Sequence, residues 1–304
     1  MADLTVTVER PPTAVRRPRR ALLSLVPALV VGCYLLVAAV GPLLIHYDPV
    51  HTSLTDRLLA PGSRTSTGDT AWLGTDGLGR DMLAQIAYGA RTAVLIGACT
   101  VTLSGLVGVV LGAVAGYFRG AADAVLARIF DVLLAFPAIL LAIVIAGAFE
   151  RSALLVVLAL SATGWIGFAR VTRGIALSLR ERPWVDAARV LGVPGRTILA
   201  RHVLPFTAGP VVALATLEFA LVVLAEAGLS FLGIGLPPST VSWGQTIAGG
   251  KEYLETQWWI ATLPGIALSL LIVAIGILGD QLTARYGRGR PGRTPTTHSS
   301  ARTG

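Results

Sequence analysis

The sequence predicts an all-α integral membrane protein: six transmembrane helices, with a helix-turn-helix segment between the fourth and the fifth. Three observations carry this reading. Of 304 residues, 54% are hydrophobic and 14% charged, with a mean hydropathy of +0.70, whereas a water-soluble domain carries about 25% charged residues. Apolar runs of about 20 residues, the length of helix that crosses a bilayer, recur along the chain. The basic residues, 24 Arg and the single Lys251, stand in blocks between those runs, which is a topology signal and not a nucleic-acid footprint.

Taken in order, residues 1–21 end in Arg16, Arg17, Arg19 and Arg20, with Pro11, Pro12 and Pro18 among them. This is the composition of a disordered basic tail. Residues 22–45 are apolar, too long for a secretory h-region and without a small-residue cleavage site, so they read as an uncleaved first membrane helix. Residues 46–91 are rich in Gly, Pro, Ser, Thr and Asp and read as an extracytoplasmic loop or small cap. Within it, Trp72-Leu73-Gly74-Thr75-Asp76-Gly77-Leu78-Gly79-Arg80-Asp81 lacks the alternating oxygen ligands of a calcium loop and reads as turn and cap chemistry. An apolar core spans 92–281, followed by a disordered tail over 282–304.

Within that core the second helix, 92–117, carries Gly108, Gly112 and Gly116 on one face, the pattern of close helix packing. Further apolar runs lie at 129–149, 153–168, 206–229 and 258–278. Pro137 and Pro264 are expected to kink their helices without breaking them. Trp258 and Trp259 are expected to anchor the sixth helix at the outer interface. Cys33 and Cys99 lie inside apolar runs without a partner spacing and read as small packing residues.

Six crossings with the basic tail inside place both termini in the cytoplasm. The charge distribution then serves as an independent test: 19 of the 25 Arg and Lys fall on the inner side, while Asp and Glu predominate outside, as the positive-inside rule requires.

The segment 182–205 is neither a linker nor a spanning helix. Residues 184–191 are helix-compatible, Gly192-Val193-Pro194-Gly195 is a turn signal, and 196–204 are helix-compatible again before Pro205. Ala187 and Ala188 permit close approach, while Val190 and Leu191 give a cytoplasmic apolar edge that wants a protein partner. His202 has no Ser, Cys or carboxylate at a catalytic spacing and is expected to hold the loop through a hydrogen bond.

Asp186-Ala187-Ala188, Gly192 four residues later, and His202-Val203-Leu204-Pro205 resemble the coupling loop of ATP-binding cassette (ABC) importer permeases. Where the family pattern begins with Glu, this chain has Asp186, one methylene shorter. Further matches are segment 72–81, Tyr88-Gly89-Ala90-Arg91, Glu226-Ala227-Gly228-Leu229-Ser230-Phe231-Leu232-Gly233-Ile234-Gly235, Ser242-Trp243-Gly244, Trp258-Trp259 and Pro264-Gly265. In this order they resemble the C-type permease of dipeptide, oligopeptide and nickel importers over about 22–285. The resemblance implies a second, homologous permease, two ATP-binding cassette ATPase domains and an extracytoplasmic substrate-binding protein as partners. It also implies a bacterial inner-membrane location, and a coupling loop of Asp186, Ala187, Ala188, Leu191, Gly192, His202 and Pro205 that grips the ATPase.

Two carboxylates lie inside the fifth apolar run, where burial of charge is costly and marks function by default. Both are candidates to line the translocation path; Glu218 is expected to pack toward the partner subunit or a cavity. For Glu226, a place on the translocation pathway and a structural hydrogen bond to neighbouring backbone both stand.

No phosphate-binding loop is present, since that motif needs Lys followed by Ser or Thr and Lys251 is followed by Glu252. The chain is therefore expected to be no enzyme and to bind no cofactor or metal, with ATP and magnesium held by partner ATPases. A di- or oligopeptide substrate is expected, with nickel or glutathione as alternatives. An ion-coupled secondary transporter would show internal repeats and broken helices. A membrane enzyme would need clustered ligands or nucleophiles, and the four histidines, His46, His51, His202 and His298, are scattered.

Overall fold

The computed structural model of the chain describes residues 25–45 and 50–287; the expected basic tail over 1–21 and most of the tail over 282–304 lie outside them. The spanning helices are α1 (Val26–Leu44), α2 (Met82–Phe118), α5 (Ala153–Arg180), α8 (Leu204–Phe231) and α10 (Trp259–Gly287). Each is long and apolar enough to cross a bilayer. A bent pair, α3 (Ala121–Leu134) and α4 (Ala138–Ala148), whose axes meet at 82°, brings the spans to six when counted as one. The protein is a multi-pass membrane protein.

The bend corrects one expectation. Pro137 does not kink a continuous helix but breaks it, standing at φ −58°, ψ 124°, outside the helical region, as the residue before α4. A proline disfavours helical conformation in the residue before it and gives up one helix hydrogen bond, and Phe136 bonds only as far back as Leu133. Pro264, by contrast, lies inside α10.

Two boundaries also move. α2 starts at Met82, ten residues before the expected 92, because Asp81 caps it: its carboxylate accepts from the amides of Leu83 and Ala84, satisfying donors that a helix start leaves unpaired. α10 runs to Gly287, past the expected end of order at 281.

Residues 50–81 form a folded cap at one end of the bundle. The Asp56 carboxylate accepts from the Ser66 amide at 2.6 Å and from the hydroxyls of Ser53 and Ser66, each at 2.8 Å. A short hairpin pairs Ser63–Arg64 (β1) with Thr70–Ala71 (β2), antiparallel. Asp76 closes the turn over 76–80, its Oδ1 accepting from the amides of Leu78 and Arg80 and its Oδ2 from the Arg80 guanidinium. Gly79 sits at φ +76°, and a Cβ there would collide with the Ser53 carbonyl.

The cap is tied to the bundle through Trp259, whose indole N–H donates to the Thr75 carbonyl. Trp259 is therefore buried beneath the cap, not an interfacial anchor; of the pair, Trp258 is the exposed one. Cys33 and Cys99 are also exposed on the outer faces of α1 and α2, so neither packs a core.

In the core, α2 lies against α5 at glycine-limited distance. A Cβ at Gly108 would stand 2.3 Å from the Trp165 carbonyl oxygen, at Gly112 2.3 Å from that of Ala169, and at Gly116 2.6 Å from that of Arg173. The three residues are four apart, so they share one face, and the partner groups step along α5 in the same register.

Candidate functional site

At the end of the bundle remote from the cap, α5 leads into α6 (Pro183–Val190), α7 (Gly195–Ile198) and a π-helical turn, Leu199–Val203, that runs directly into α8. Pro183 takes the first turn of α6 with Arg182 extended before it, as proline geometry favours. α6 ends in a Schellman motif: the Gly192 amide donates to the Arg189 carbonyl and the Val193 amide to that of Ala188. That closure needs a left-handed residue after the helix, and Gly192, at φ +80°, supplies it. The apolar contact that accompanies such an end is present too, since Ala188 and Val193 pack on the same cluster.

The second arm corrects the expectation of a separate short helix before Pro205. Pro205 lies within the first turn of α8 and ends nothing. Proline would clash with the carbonyl four residues earlier and cannot donate to it. The π turn relieves this by widening, with the Leu204 amide reaching back five residues to Leu199. From Gly195 to Phe231 the path is one 37-residue span, so the turn is continuous with a membrane helix.

The segment is braced from beneath. Val185, Ile198, Leu199 and Val203 are buried with Ala113 and Tyr117 of α2 and Ala176 and Leu179 of α5. Arg180 donates to the Tyr117 carbonyl at 2.9 Å. The Arg189 guanidinium carbon lies 5.6 Å from the centre of the Tyr117 ring, within cation–π range, and Gly195 leaves room for the edges of Tyr117 and Phe118. Arg119 pairs with Glu181, and Arg173 of α5 grips Asp123 of α3 through two nitrogens.

The opposite face is open. Asp186 and Ala187 are exposed, with Asp186 paired to Arg189 at 3.1 Å. Val190 and Leu191 are 88% and 81% exposed. His202 makes no hydrogen bond among the described residues, contrary to expectation; its ring instead lies 6.0 Å from that of Trp184. This surface holds no catalytic constellation. It is an apolar-tipped projection, packed from beneath.

The structure thus brings Asp186, Ala187, Ala188, Leu191 and Gly192 into one projection, with His202 and Pro205 on the adjoining arm. The two carboxylates of α8 lie apart from it and from each other. Glu226 is 2% exposed and accepts, through one oxygen, from the Ser230 and Ser242 hydroxyls, each at 2.8 Å. Ser242 also caps α9 (Trp243–Gly250) by accepting from the Gly244 amide, so Glu226 fastens that short helix to α8 through side chains and not through backbone. Glu218 is half-buried, with no hydrogen bond or ion pair among the described residues, and one of its carboxylate oxygens lies 3.2 Å from where a Cβ at Gly167 of α5 would stand. No group of three His, Cys, Asp or Glu able to hold a metal ion occurs among the described residues.

Sequence reasoning gave no role to Tyr117 or Arg189, and placed Ser242 only within the Ser242-Trp243-Gly244 match, without its bond to Glu226. Arg189 had a visible signal, its spacing of three from Asp186. Tyr117 had only its place beside Gly116, and Ser242 none beyond the Ser-x-Gly pattern of a helix start.

Residues 108–288 match the family model described as "Binding-protein-dependent transport system inner membrane component". A Brucella suis protein named as a peptide transport system permease is 40% identical over 266 residues, covering 88% of this chain and 86% of the relative. The dipeptide transport system permease protein DppC of Escherichia coli is 37% identical over 88% of each chain. The di/tripeptide transport system permease protein DppC of Pseudomonas aeruginosa is 35% identical, covering 84% of this chain and 82% of the relative.

Proposed function

The chain belongs to the family of binding-protein-dependent transport system inner membrane components, and from that premise we propose that it is the permease subunit of an ABC importer that carries di- or oligopeptides. It forms the membrane path with a second, homologous permease. Two ATPase domains hold ATP and magnesium, and an extracytoplasmic binding protein delivers substrate. The relatives' names favour peptide over nickel as cargo.

The observation that carries the mechanism is the exposed Val190–Leu191 tip on a braced projection between two membrane helices. Two large apolar side chains held in water are uncompensated until a partner covers them. The projection therefore docks in a groove of the ATPase on the cytoplasmic side, with both termini on that side and the cap outside. ATP-driven closure of the ATPases displaces the projection, α5 and α8 move with it, and the path changes its side of access. Asp186, at the first turn of α6, presents a carboxylate to the same groove. The chain contributes the path and the lever and no hydrolytic chemistry.

The test is a chain carrying Val190→Asp and Leu191→Asp. Both positions are surface sites, so the thermal midpoint should hold, since such changes alter stability by about 0.5 kcal/mol or less. Loss of two buried apolar anchors at about 1.5 kcal/mol each or more should weaken ATPase co-purification at least about 100-fold and abolish ATP-driven uptake. Retained association and uptake would overturn the docking assignment. Deleting the gene should impair uptake of short peptides; normal peptide uptake with impaired nickel accumulation would reverse the substrate assignment.

A further inference from the structure

The outer faces of most spanning helices are what lipid requires. α2 exposes Leu95, Leu106 and Val110, and α4 exposes Ile139, Leu140 and Val144. α5 differs: Thr163, Gly167, Arg170, Gly174 and Ser178 recur at helical spacing on one side, and each is half-buried or exposed. Arg170 makes no hydrogen bond or ion pair among the described residues, and Glu218 of α8 stands across from Gly167, with a carboxylate oxygen 3.2 Å from where a Cβ there would lie.

Gly167 is 14 residues from the first residue of α5, about 21 Å along its axis. Glu218 beside it therefore falls inside a hydrocarbon core about 30 Å thick, while Arg170, about 26 Å along, stands toward its inner edge. An unpaired carboxylate at the depth of Glu218 is not stable against lipid and faces a water-filled cavity or a partner; the unpaired Arg170 guanidinium stands one turn further along the adjoining helix.

We propose that this face of α5, with Glu218, is a wall of the translocation path, where Glu218 receives the ammonium end and Arg170 the carboxylate end of a passing peptide. This rests on the peptide-importer reading above. Arg170 is one turn from Gly167, about 4.5 Å along the axis, so one strip of wall offers a charge of each sign to the two ends of a dipeptide. Gly167 keeps the space over Glu218 clear, since any side chain there would meet the carboxylate and Leu214. In an aqueous path each contact is weak, which suits passage: at about 4 Å a charge pair in water contributes about a fivefold effect.

The experiment uses the complete importer in proteoliposomes, with Cys33→Ala and Cys99→Ala in the permease and dialanine as substrate. Glu218→Gln and Arg170→Gln should each assemble with the ATPase and slow dialanine uptake about fivefold. With Arg170→Cys, a cationic methanethiosulfonate should react about fivefold faster than an anionic one. Glu218→Gln should erase that preference, and dialanine should slow labelling. Arg170→Cys that resists both reagents in the assembled complex faces lipid or the second permease and overturns the inference, as does uptake unchanged in both Gln variants. If the unaltered importer carries no dialanine, the peptide reading itself fails; charge-selective labelling would then retain the wall and remove only its ligand.

Discussion

Gly112→Ala is the most direct probe of how this bundle is held. A methyl group at residue 112 would lie 2.3 Å from the Ala169 carbonyl oxygen and 2.8 Å from the Ala169 Cα. Both are backbone atoms of α5, so no rotamer change relieves the clash and the helices must part by about 1 Å, a separation that forfeits a quarter to a half of each dispersion contact along the shared face. That face continues at Gly108 and Gly116 and buries Ala113, Ala115, Ile166 and Ala169, so the loss is distributed and comes to about 3 kcal/mol, the upper range for overpacking. Gly147→Ala is the control: it also adds a methyl to a helical glycine, and nothing lies within 4 Å. Thermal unfolding of the purified chain in one detergent should show a clear fall in midpoint for Gly112→Ala and none for Gly147→Ala. Equal midpoints would refute the claim that backbone contact between α2 and α5 sets the packing.

Two further outcomes follow. The Ser66 amide, then the Ser53 and Ser66 hydroxyls, hold the Asp56 carboxyl below its usual range against the opposing effect of burial. Its folded pKa therefore lies below the unfolded value of about 3.9, so its stabilisation of the cap is complete above that value and is lost as pH falls through the depressed folded one; pepsin cleavage within 53–66 should rise over that acid range, and Asp56→Asn should flatten the dependence. Ser242→Ala removes both the cap on α9 and one of two donors to buried Glu226, costing about 3 kcal/mol from the two losses; Ser242→Thr should recover most of the midpoint, and an unchanged Ser242→Ala midpoint would refute the fastening role.

The fold was legible wherever a local rule had no competitor. Helices α1, α2, α5, α8 and α10 follow from apolar length alone, because nothing but a helix satisfies the backbone in hydrocarbon. Illegible features were those in which a local rule met a tertiary partner. Residues 82–91 look like loop by composition, yet Asp81 starts the helix there. Pro137 and Pro205 present the same covalent restriction and reach opposite ends: at 137 the chain turns by 82°, while at 205 a π turn absorbs the misfit and the helix continues. The difference lies in the neighbours. The π turn buries Leu199 and Val203 in a cluster shared with α2 and α5, so breaking the helix there would expose them, whereas the residues around Pro137 face outward, Phe136 and Ile139 among them.

The same distinction divides the candidate site. Gly192 was readable because a Schellman end has one backbone requirement and glycine meets it. Val190 and Leu191 were readable because apolar residues beside a turn, outside any spanning run, have no intramolecular reason to be there, and their exposure matches that logic. Tyr117 could not be found in this way. It is an aromatic residue at the end of an apolar run, a common anchor pattern, and its contact with Arg189 joins positions 72 apart in the chain. Glu226 was readable as unusual but not in its solution: its donors are Ser230, one helical turn away, and Ser242, reached only when α9 folds back over α8. Sequence thus marks where a buried charge must find partners, and the return of the chain determines which partners those are.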